Sequence, residues 1–236
     1  MTTALNYILR LHDISARYPS STATALQNCS LSVTRGEHVA LLGLNGSGKT
    51  TLMLAIAGLV KTTGEISVDG VILQSSTVQE VRNKIGMLFS TPEDQLLFPR
   101  VLDDVAYSVL RRGMPAEEAL VQAQRQLDLL GVGDLAEKEP YELSHGQRLR
   151  VALAGVLVAQ PLLLLLDEAT AALDPPGRRA LTRLLRETPS AFLLATHDLD
   201  AAQRCCGRFL VLEHGRIVAD TSSLEEVRHL IERDAS

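Results

Sequence analysis

The chain of 236 residues has few aromatic side chains: it contains no tryptophan, four tyrosines and four phenylalanines. Proteins that bind single-stranded nucleic acid usually stack its bases on aromatic side chains, so this scarcity disfavours that class of function. The formal net charge of -5 argues in the same direction, because surfaces that bind nucleic acid are usually basic. We therefore expect no nucleic acid among the partners of this protein.

Cysteine is also scarce, with only Cys29 and the adjacent pair Cys205 and Cys206. Their number and spacing fit neither the disulfide framework of a small secreted protein nor a zinc site, and they favour a reducing compartment. The six histidines form no recognisable pattern of metal ligands. For the adjacent cysteines we expect packing rather than redox chemistry.

Long hydrophobic runs are missing as well. The longest apolar stretch, residues 151–166, is interrupted by Gln160 and Pro161 and is too short for a transmembrane helix. The N-terminus lacks a basic region followed by an apolar run, so we expect no signal peptide. Any role at a membrane therefore requires partner proteins.

Short apolar runs alternate with helical patterns along the chain, of which 46% is hydrophobic. Early runs with turn signals predict an antiparallel sheet, and later apolar runs separated by helices predict a buried parallel sheet. We expect one α/β domain with a helical insertion. The predicted strands are 7–14, 31–33, 39–42, 162–166 and 191–195, with hairpins at 64–72 and 209–219, and the predicted helices are 50–59, 115–130, 176–187 and 224–231.

Residues 43–50 read GLNGSGKT, which satisfies the phosphate-loop pattern G-x-x-x-x-G-K-[ST]. The glycines allow backbone N–H groups to converge on phosphate oxygens, Lys49 adds a positive charge, and Thr50 offers a hydroxyl to Mg²⁺. Because the motif follows a buried strand and opens a helix, we predict that ATP and Mg²⁺ bind here. The predicted nucleotide ligands in this segment are Gly43, Leu44, Asn45, Gly46, Ser47, Gly48, Lys49, Thr50 and Thr51.

The predicted strand 162–166 is followed at once by Asp167 and Glu168. This position would place Asp167 near Mg²⁺, directly or through water, and would let Glu168 polarise the attacking water. The alternative is an acidic pair that only caps the next helix. The phosphate loop earlier in the chain favours the catalytic interpretation.

Further motifs resemble those of ABC transporter ATPases. LSHGQ at 143–147 resembles the ABC signature LSGGQ, with His145 in place of a glycine, and residues 172–174 resemble the D-loop. His197 resembles the switch histidine at a strand end, and Tyr18 lies where the family has an aromatic residue that stacks on adenine. The signature also has the pattern of a helix capping box, which is compatible with a role in phosphate binding.

This resemblance covers nearly the whole chain and implies an α/β fold of the P-loop NTPase (RecA-like) type. A parallel sheet core would carry an N-terminal antiparallel β subdomain and an inserted α-helical subdomain. The expected division of this single ABC ATPase domain is about 1–89 and 156–236 for the core with the β subdomain, and about 90–155 for the helical subdomain.

The resemblance also implies roles for individual residues. Two such domains would pack head to tail, in the simplest case as a homodimer, so that each signature contacts the ATP of its partner. In that arrangement Glu168 and His197 are catalytic. The remaining nucleotide contacts implied by the resemblance are Tyr18, Asp174 and, in trans, Ser144, Gly146 and Gln147.

The stretch at 85–107, IGMLFSTPEDQLLFPRVLDDVAY, is similar to the energy-coupling-factor importers, particularly the cobalt and nickel ATPases. This implies an ATP-hydrolysing subunit at the cytoplasmic face of the membrane, which drives import of a cobalt or nickel ion through separate transmembrane coupling and substrate-binding subunits. The helical region would dock onto those subunits. The alternatives are another ABC importer, an exporter subunit, a soluble ABC ATPase of DNA repair or translation, and a nucleotide sensor, which the presence of Glu168 disfavours.

Three positions depart from the family pattern. Ser90 stands where the Q-loop has glutamine, and Gln95 belongs to the PEDQ segment rather than to that position. A serine hydroxyl is too short to reach Mg²⁺ and the attacking water as glutamine does, so a metal contact by Ser90 is left open and slower or more loosely coupled hydrolysis is expected. For His145 and for Ala169, which replaces a proline, we expect small effects.

Overall fold

A computed structural model describes residues 6–18, 23–170 and 173–234, with side chains up to residue 230. Among these residues the strands form two sheets, one four-stranded and one six-stranded. In chain order the strands are β1 Tyr7–Arg17, β2 Thr24–Thr34, β3 His38–Leu42, β4 Thr62–Val68, β5 Val71–Ile72, β6 Ile85–Leu88, β7 Leu163–Asp167, β8 Ala191–Thr196, β9 Arg208–Glu213 and β10 Arg216–Thr221.

Helices connect the strands and cover the larger sheet. In chain order they are α1 Lys49–Ile56, α2 Val78–Lys84, α3 Val101–Leu110, α4 Ala116–Leu129, α5 His145–Leu157, α6 Pro175–Glu187, α7 Leu199–Cys205 and α8 Leu224–Asp234, with short 3-10 turns at Pro92–Gln95, Gly133–Leu135 and Pro140–Glu142. Across the described ranges, no helix is both long and apolar enough to cross a membrane.

The smaller sheet has the strand order β2-β1-β4-β5 and is antiparallel throughout. The larger sheet has the order β10-β9-β3-β8-β7-β6, with parallel pairing except for the terminal β9–β10 hairpin. This arrangement confirms the predicted fold class. The β4–β5 turn lies at Asp69 and Gly70, both with positive φ, as the sequence pattern predicts for a tight hairpin.

The parallel sheet forms the middle layer of the domain, because each of its two faces packs against a different hydrophobic cluster. Alternate residues of its strands point to opposite faces. Leu164, Leu166 and Leu194 belong to the hydrophobic cluster that includes the helices α3, α4 and α5. Leu163 and Leu165 belong to a second cluster, which includes the antiparallel sheet and α1. Every residue of β7 and β8 is buried, as expected for central parallel strands covered on both faces.

Several elements differ from the sequence-based expectation. The helix α1 ends at Ile56, earlier than the predicted 50–59, because the chain turns at Gly58 with φ 67°. In α4 the buried face holds Ala119, Ala123 and Leu127, whereas the predicted apolar residue Ala116 is exposed. The sequence-based prediction also lacked β6, α2, α3 and α7. β6, α2 and α7 are short, and α3 begins inside the stretch 85–107, which was interpreted by resemblance alone. One of the turn signals between the early apolar runs, Pro19-Ser20, lies outside the described residues.

Candidate nucleotide site

The phosphate loop lies between β3 and α1 and is closed by tight backbone packing. A Cβ atom on Gly43 would lie 2.3 Å from the carbonyl oxygen of Leu212, and one on Gly48, which has φ 110°, would lie 2.8 Å from that of Ala25. The same Ala25 oxygen would be 2.6 Å from a Cβ on Gly215, in the β9–β10 turn. Glycine at these positions lets the loop curve back on itself so that N–H groups can face a phosphate.

Two groups in this loop fit the binding of an anion. The Ser47 hydroxyl is buried and has no hydrogen-bond partner among the described residues, which is unusual for a buried polar group without a ligand. Lys49 Nζ donates hydrogen bonds to the carbonyl oxygens of Gly43 at 2.8 Å and Leu44 at 3.1 Å. Burial lowers the pKa of Lys49, although the carboxylates of Glu168 and Asp167 oppose that shift.

Asp167 is the last residue of β7 and faces the first turn of α1. Its Oδ2 accepts a hydrogen bond of 2.8 Å from Thr50 Oγ1. Burial raises the pKa of the Asp167 carboxyl, and the negative charge of Glu168 adds to that effect, while Thr50 and Lys49 oppose it. A carboxylate and a hydroxyl beside a phosphate loop are the hard oxygen ligands that Mg²⁺ prefers, so this pair fits the predicted metal.

Glu168 and His197 come from the ends of the neighbouring strands β7 and β8. Glu168 Oε1 lies 3.1 Å from His197 Nδ1, and Glu168 Oε2 accepts a hydrogen bond of 3.3 Å from Thr196 Oγ1. The backbone of Glu168 has φ 50°, and its N–H donates to the oxygen of Ala195 at 2.9 Å. The structure therefore brings the two predicted catalytic residues together at the carboxyl edge of the sheet, where open parallel sheets usually bind ligands.

The signature turn begins α5, which precedes β7 in the chain. Ser144 is the N-cap, where its Oγ accepts from Gln147 N at 3.4 Å and its N–H donates to Gln147 Oε1 at 2.8 Å. This reciprocal capping was predicted from the sequence. Within the described residues, the side-chain hydrogen bonds of residues 144–147 run to each other, to Glu93 and to Arg150, and none joins them to the phosphate loop.

The other predicted contacts take separate positions. Tyr18 lies beside the first turn of α1, with its hydroxyl 3.3 Å from Thr51 Oγ1. Asp174 caps α6, and its Oδ1 accepts from Gly177 N at 2.9 Å. Ala172 of the predicted D-loop lies outside the described residues, whereas Leu173 is buried. Ser90 is exposed just beyond the end of β6.

The contacts made by the PEDQ segment were not predicted from the sequence. Its residues form the 3-10 turn Pro92–Gln95, and the Gln95 amide folds back onto the end of β6. Gln95 Oε1 accepts from Phe89 N at 2.9 Å, and Gln95 Nε2 donates to the oxygen of Met87 at 2.8 Å. A proline soon after a strand, followed by an amide side chain, was the available signal for such a local backbone contact.

Comparisons with known proteins agree with this geometry. A profile of the ABC transporter family matches residues 26–171. A putative ABC transporter ATP-binding protein of Gloeobacter violaceus is 43% identical over 218 residues, which cover 91% of this chain and 89% of that protein. An energy-coupling factor transporter ATP-binding protein of Lactiplantibacillus plantarum is 39% identical over 229 residues, which cover 94% of this chain and 81% of that protein.

Solved structures give the same result. The cbiO1 protein of Clostridium perfringens, described as part of the ABC transporter complex cbiONQ, superposes with a TM-score of 0.82 at 33% identity, covering 95% of this chain and 91% of that one. A bacterial ABC transporter cassette solved as a dimer has a TM-score of 0.82 at 28% identity, with 90% and 97% coverage. The same cassette is also known in a post-hydrolysis state bound to ADP and phosphate.

The matched family profile covers more than half of the chain, and the nucleotide bound in a similar structure agrees with the phosphate loop seen here. The chain therefore belongs to the ABC transporter family as an ATP-binding subunit, and its activity is ATP hydrolysis coupled to transport.

Proposed function

We propose that this chain is the ATPase of an energy-coupling-factor importer, working as one half of a dimer at the cytoplasmic face of the membrane. The observation that carries this proposal is that the catalytic residues and the signature motif lie on different structural elements. Lys49, Asp167, Glu168 and His197 lie together at the edge of one sheet, while the signature turn lies on a separate helix. A second subunit would supply the missing signature.

In this proposal the phosphate loop binds the phosphates of ATP. Lys49 Nζ exchanges the oxygens of Gly43 and Leu44 for β- and γ-phosphate oxygens, so the ammonium group is already held beside the position it must occupy. Glu168 accepts a hydrogen bond from the attacking water and orients it toward the γ-phosphate. Because His197 faces Glu168 through Nδ1, its Nε2 is the nitrogen available to the γ-phosphate.

Thr50 and Asp167 would hold Mg²⁺, with the remaining ligands supplied by phosphate oxygens and water. The ion would neutralise negative charge on the β- and γ-phosphates. Ser90 is exposed and its side chain is short, so we do not assign it to the metal. Tyr18 would support the adenine, since its hydroxyl lies beside α1.

The dimer would place Ser144 and Gly146 against the γ-phosphate bound by the partner. The N-terminus of α5 favours negative charge, and Ser144 adds a hydroxyl there. Gln147 is engaged in capping its own helix, so in this proposal it shapes the turn. Asp174 lies at the start of α6 and would contribute to the dimer interface. A cassette of similar fold that forms a dimer supports this arrangement.

The helical region offers a surface for membrane subunits. Leu97 is 75% exposed and Tyr107 is 44% exposed, with the ring of Tyr107 packed 5.1 Å from that of Phe98. Asp104 Oδ1 accepts hydrogen bonds from the N–H groups of Leu97 and Phe98 and so holds this segment in place. Large apolar side chains on a defined surface are typical of docking sites.

The proposed cargo is a cobalt or nickel ion, on the strength of the segment 85–107 and the similarity to a protein of the complex cbiONQ. We propose to purify the tagged chain from membranes of its own cells, identify the co-purifying subunits, and measure uptake of labelled cobalt, nickel and vitamins. Recovery of membrane subunits together with uptake of a vitamin would show that the cargo is that vitamin and not a metal ion. Recovery of ribosomes or DNA alone would overturn the importer proposal.

A further inference from the structure

The turn that follows β6 is joined to the start of α5 by a cluster of charged side chains. Glu93 Oε1 accepts a hydrogen bond of 2.8 Å from Arg148 Nη1 and lies 3.3 Å from His145 Nδ1. His145 stands between Ser144 and Gly146, the residues proposed to meet the partner's ATP. Glu93 therefore contacts the signature turn directly, from a segment far away in the chain.

The guanidinium of Arg148 is held by hydrogen bonds from all three of its nitrogens. Its Nε donates to the oxygen of Pro140 at 2.9 Å, and its Nη2 donates to the oxygen of Tyr141 at 3.0 Å. The third contact of the guanidinium is Glu93, whose carboxyl has a lowered pKa because of the hydrogen bond from Arg148. Arg148 thus ties the segment before the signature and the turn after β6 to one point on α5.

The other end of this turn is attached to the sheet. Gln95 makes its two hydrogen bonds to the backbone of Met87 and Phe89, at the end of β6. β6 pairs in parallel with β7, and Leu88 lies opposite Leu166, just before Asp167. A continuous set of contacts therefore runs from the strand that carries the acidic pair, through Gln95 and Glu93, to the signature turn.

We propose that Glu93 is a positioning residue for the ATP of the partner subunit. Through Arg148 and His145 it fixes the direction in which Ser144 and Gly146 face the partner's γ-phosphate. With a serine at position 90, side-chain contacts from this turn are made by Gln95 to the sheet and by Glu93 to α5. This inference rests on the proposed dimer, because the signature acts only in trans.

The test uses the full-length chain with Glu168→Gln, which is expected to form a stable dimer in the presence of ATP. Glu93→Gln is added to it, and Asp94→Asn serves as the matched control, since Asp94 is an exposed carboxylate in the same turn. ATP binding is measured at protein concentrations too low for dimerisation, and dimerisation with ATP is measured by analytical ultracentrifugation. The thermal midpoint of each variant is recorded without nucleotide.

We expect Glu93→Gln to leave monomeric ATP binding and the thermal midpoint unchanged while it weakens ATP-dependent dimerisation on the order of tenfold, since a charge-assisted hydrogen bond is lost. Asp94→Asn is expected to dimerise like its parent. Arg148→Lys should weaken dimerisation by a similar factor, and the double variant should add little to either single change, because both act through one contact.

Each other outcome has a definite meaning. If the Glu168→Gln parent does not dimerise with ATP, the proposed dimeric function fails and this inference fails with it. If the parent dimerises and Glu93→Gln dimerises equally tightly, only the positioning role is overturned. A loss of monomeric ATP binding or of thermal stability in Glu93→Gln would show a general structural role and would also overturn it.

Discussion

The two halves of the proposed ATP site are built in different ways. The phosphate-loop half is assembled inside one chain: Lys49 and Asp167 are buried, and the exposed Thr50 donates a hydrogen bond to Asp167. In the signature half, Ser144 and Gln147 hydrogen-bond to each other, Gly146 accepts from Arg150 of the same helix, and His145 contacts Glu93. The first half depends on the packing of two sheets, whereas the second depends on local capping and a few surface contacts.

This difference has a physical consequence. At the edge of the parallel sheet, burial disfavours the charged forms of Lys49 and Asp167, so placing these two charges there costs folding free energy. The capped helix start has satisfied hydrogen bonds and is stable by itself. Substitutions of Lys49 or Asp167 should therefore alter both stability and ATP binding, and substitutions in the signature half should alter the encounter with the partner.

The largest effect is expected for Glu168→Gln, in the phosphate-loop half of the site. Removing the charge should lower the rate of ATP hydrolysis by about 100-fold or more, since the side chain can no longer accept a proton or orient water in the same way. ATP binding should persist, and an ATP-bound dimer should accumulate. Steady-state ATPase assays and size-exclusion chromatography with ATP measure the two effects. Fast turnover in this variant would show that the catalytic assignment is wrong.

Lys49→Ala tests whether the phosphate-loop half binds ATP without the signature. The lost ammonium should weaken ATP binding by about 10- to 100-fold, as expected when a charged hydrogen-bond donor to a phosphate is removed. Isothermal titration of the monomer with Mg·ATP gives the affinity. Lys61→Ala is the control, because Lys61 is exposed and lies outside the loop. Equal affinities for the two variants would contradict the assignment of Lys49.

Asp167→Asn separates the effect of this carboxyl on protein stability from its effect on Mg·ATP binding. The folded-state pKa of Asp167 is raised by burial, so its ionised form is unfavourable in the native protein, and stability falls as the pH rises through that pKa. At neutral pH, Asp167→Asn should raise the nucleotide-free melting temperature by about 2–4 °C, equivalent to about 1 kcal/mol. Mg·ATP should then stabilise the variant less than it stabilises the parent.

Thermal denaturation at pH 7, with and without Mg·ATP, measures both parts of that prediction. Asp94→Asn is again the control, and its melting temperature should not change, because that carboxylate is exposed. A lower melting temperature for Asp167→Asn without nucleotide would mean that the hydrogen bond from Thr50 outweighs the burial of the charge.

Ser90→Gln is expected to have the smallest effect. A longer amide side chain at the exposed end of β6 should raise the ATPase rate or the transport per ATP by about threefold, which corresponds to less than 1 kcal/mol in the barrier. Thr91→Gln places the same side chain one residue further along and should change neither quantity. Measurements in the reconstituted complex are required, and unchanged hydrolysis and coupling in Ser90→Gln would refute the idea.

The strand and helix that flank the phosphate loop could be predicted because the motif is contiguous and the strand is strongly apolar, whereas the roles of the loop residues in nucleotide binding stay predictions. β3, β7 and β8 could be read from runs of buried aliphatic residues, and the capping box of α5 from Ser144 and Gln147. β6 was not predicted, since its residues Ile85–Leu88 include Gly86 and are only four in number. Glu93 was also missed, because its partners Arg148 and His145 approach it only after the chain has folded.

The carbonyl oxygen of Ala25 connects the small antiparallel sheet to the packing of the phosphate loop. It lies where side chains on Gly48 and Gly215 would collide with it, so strand β2 presses against the phosphate loop and against the β9–β10 turn at one point. A fragment starting at β3 would keep every residue of the phosphate-binding motif but would lose the contact that Ala25 makes with the loop. We therefore expect sequence changes that loosen β2 to weaken nucleotide binding, because they would loosen the packing against the phosphate loop at Gly48.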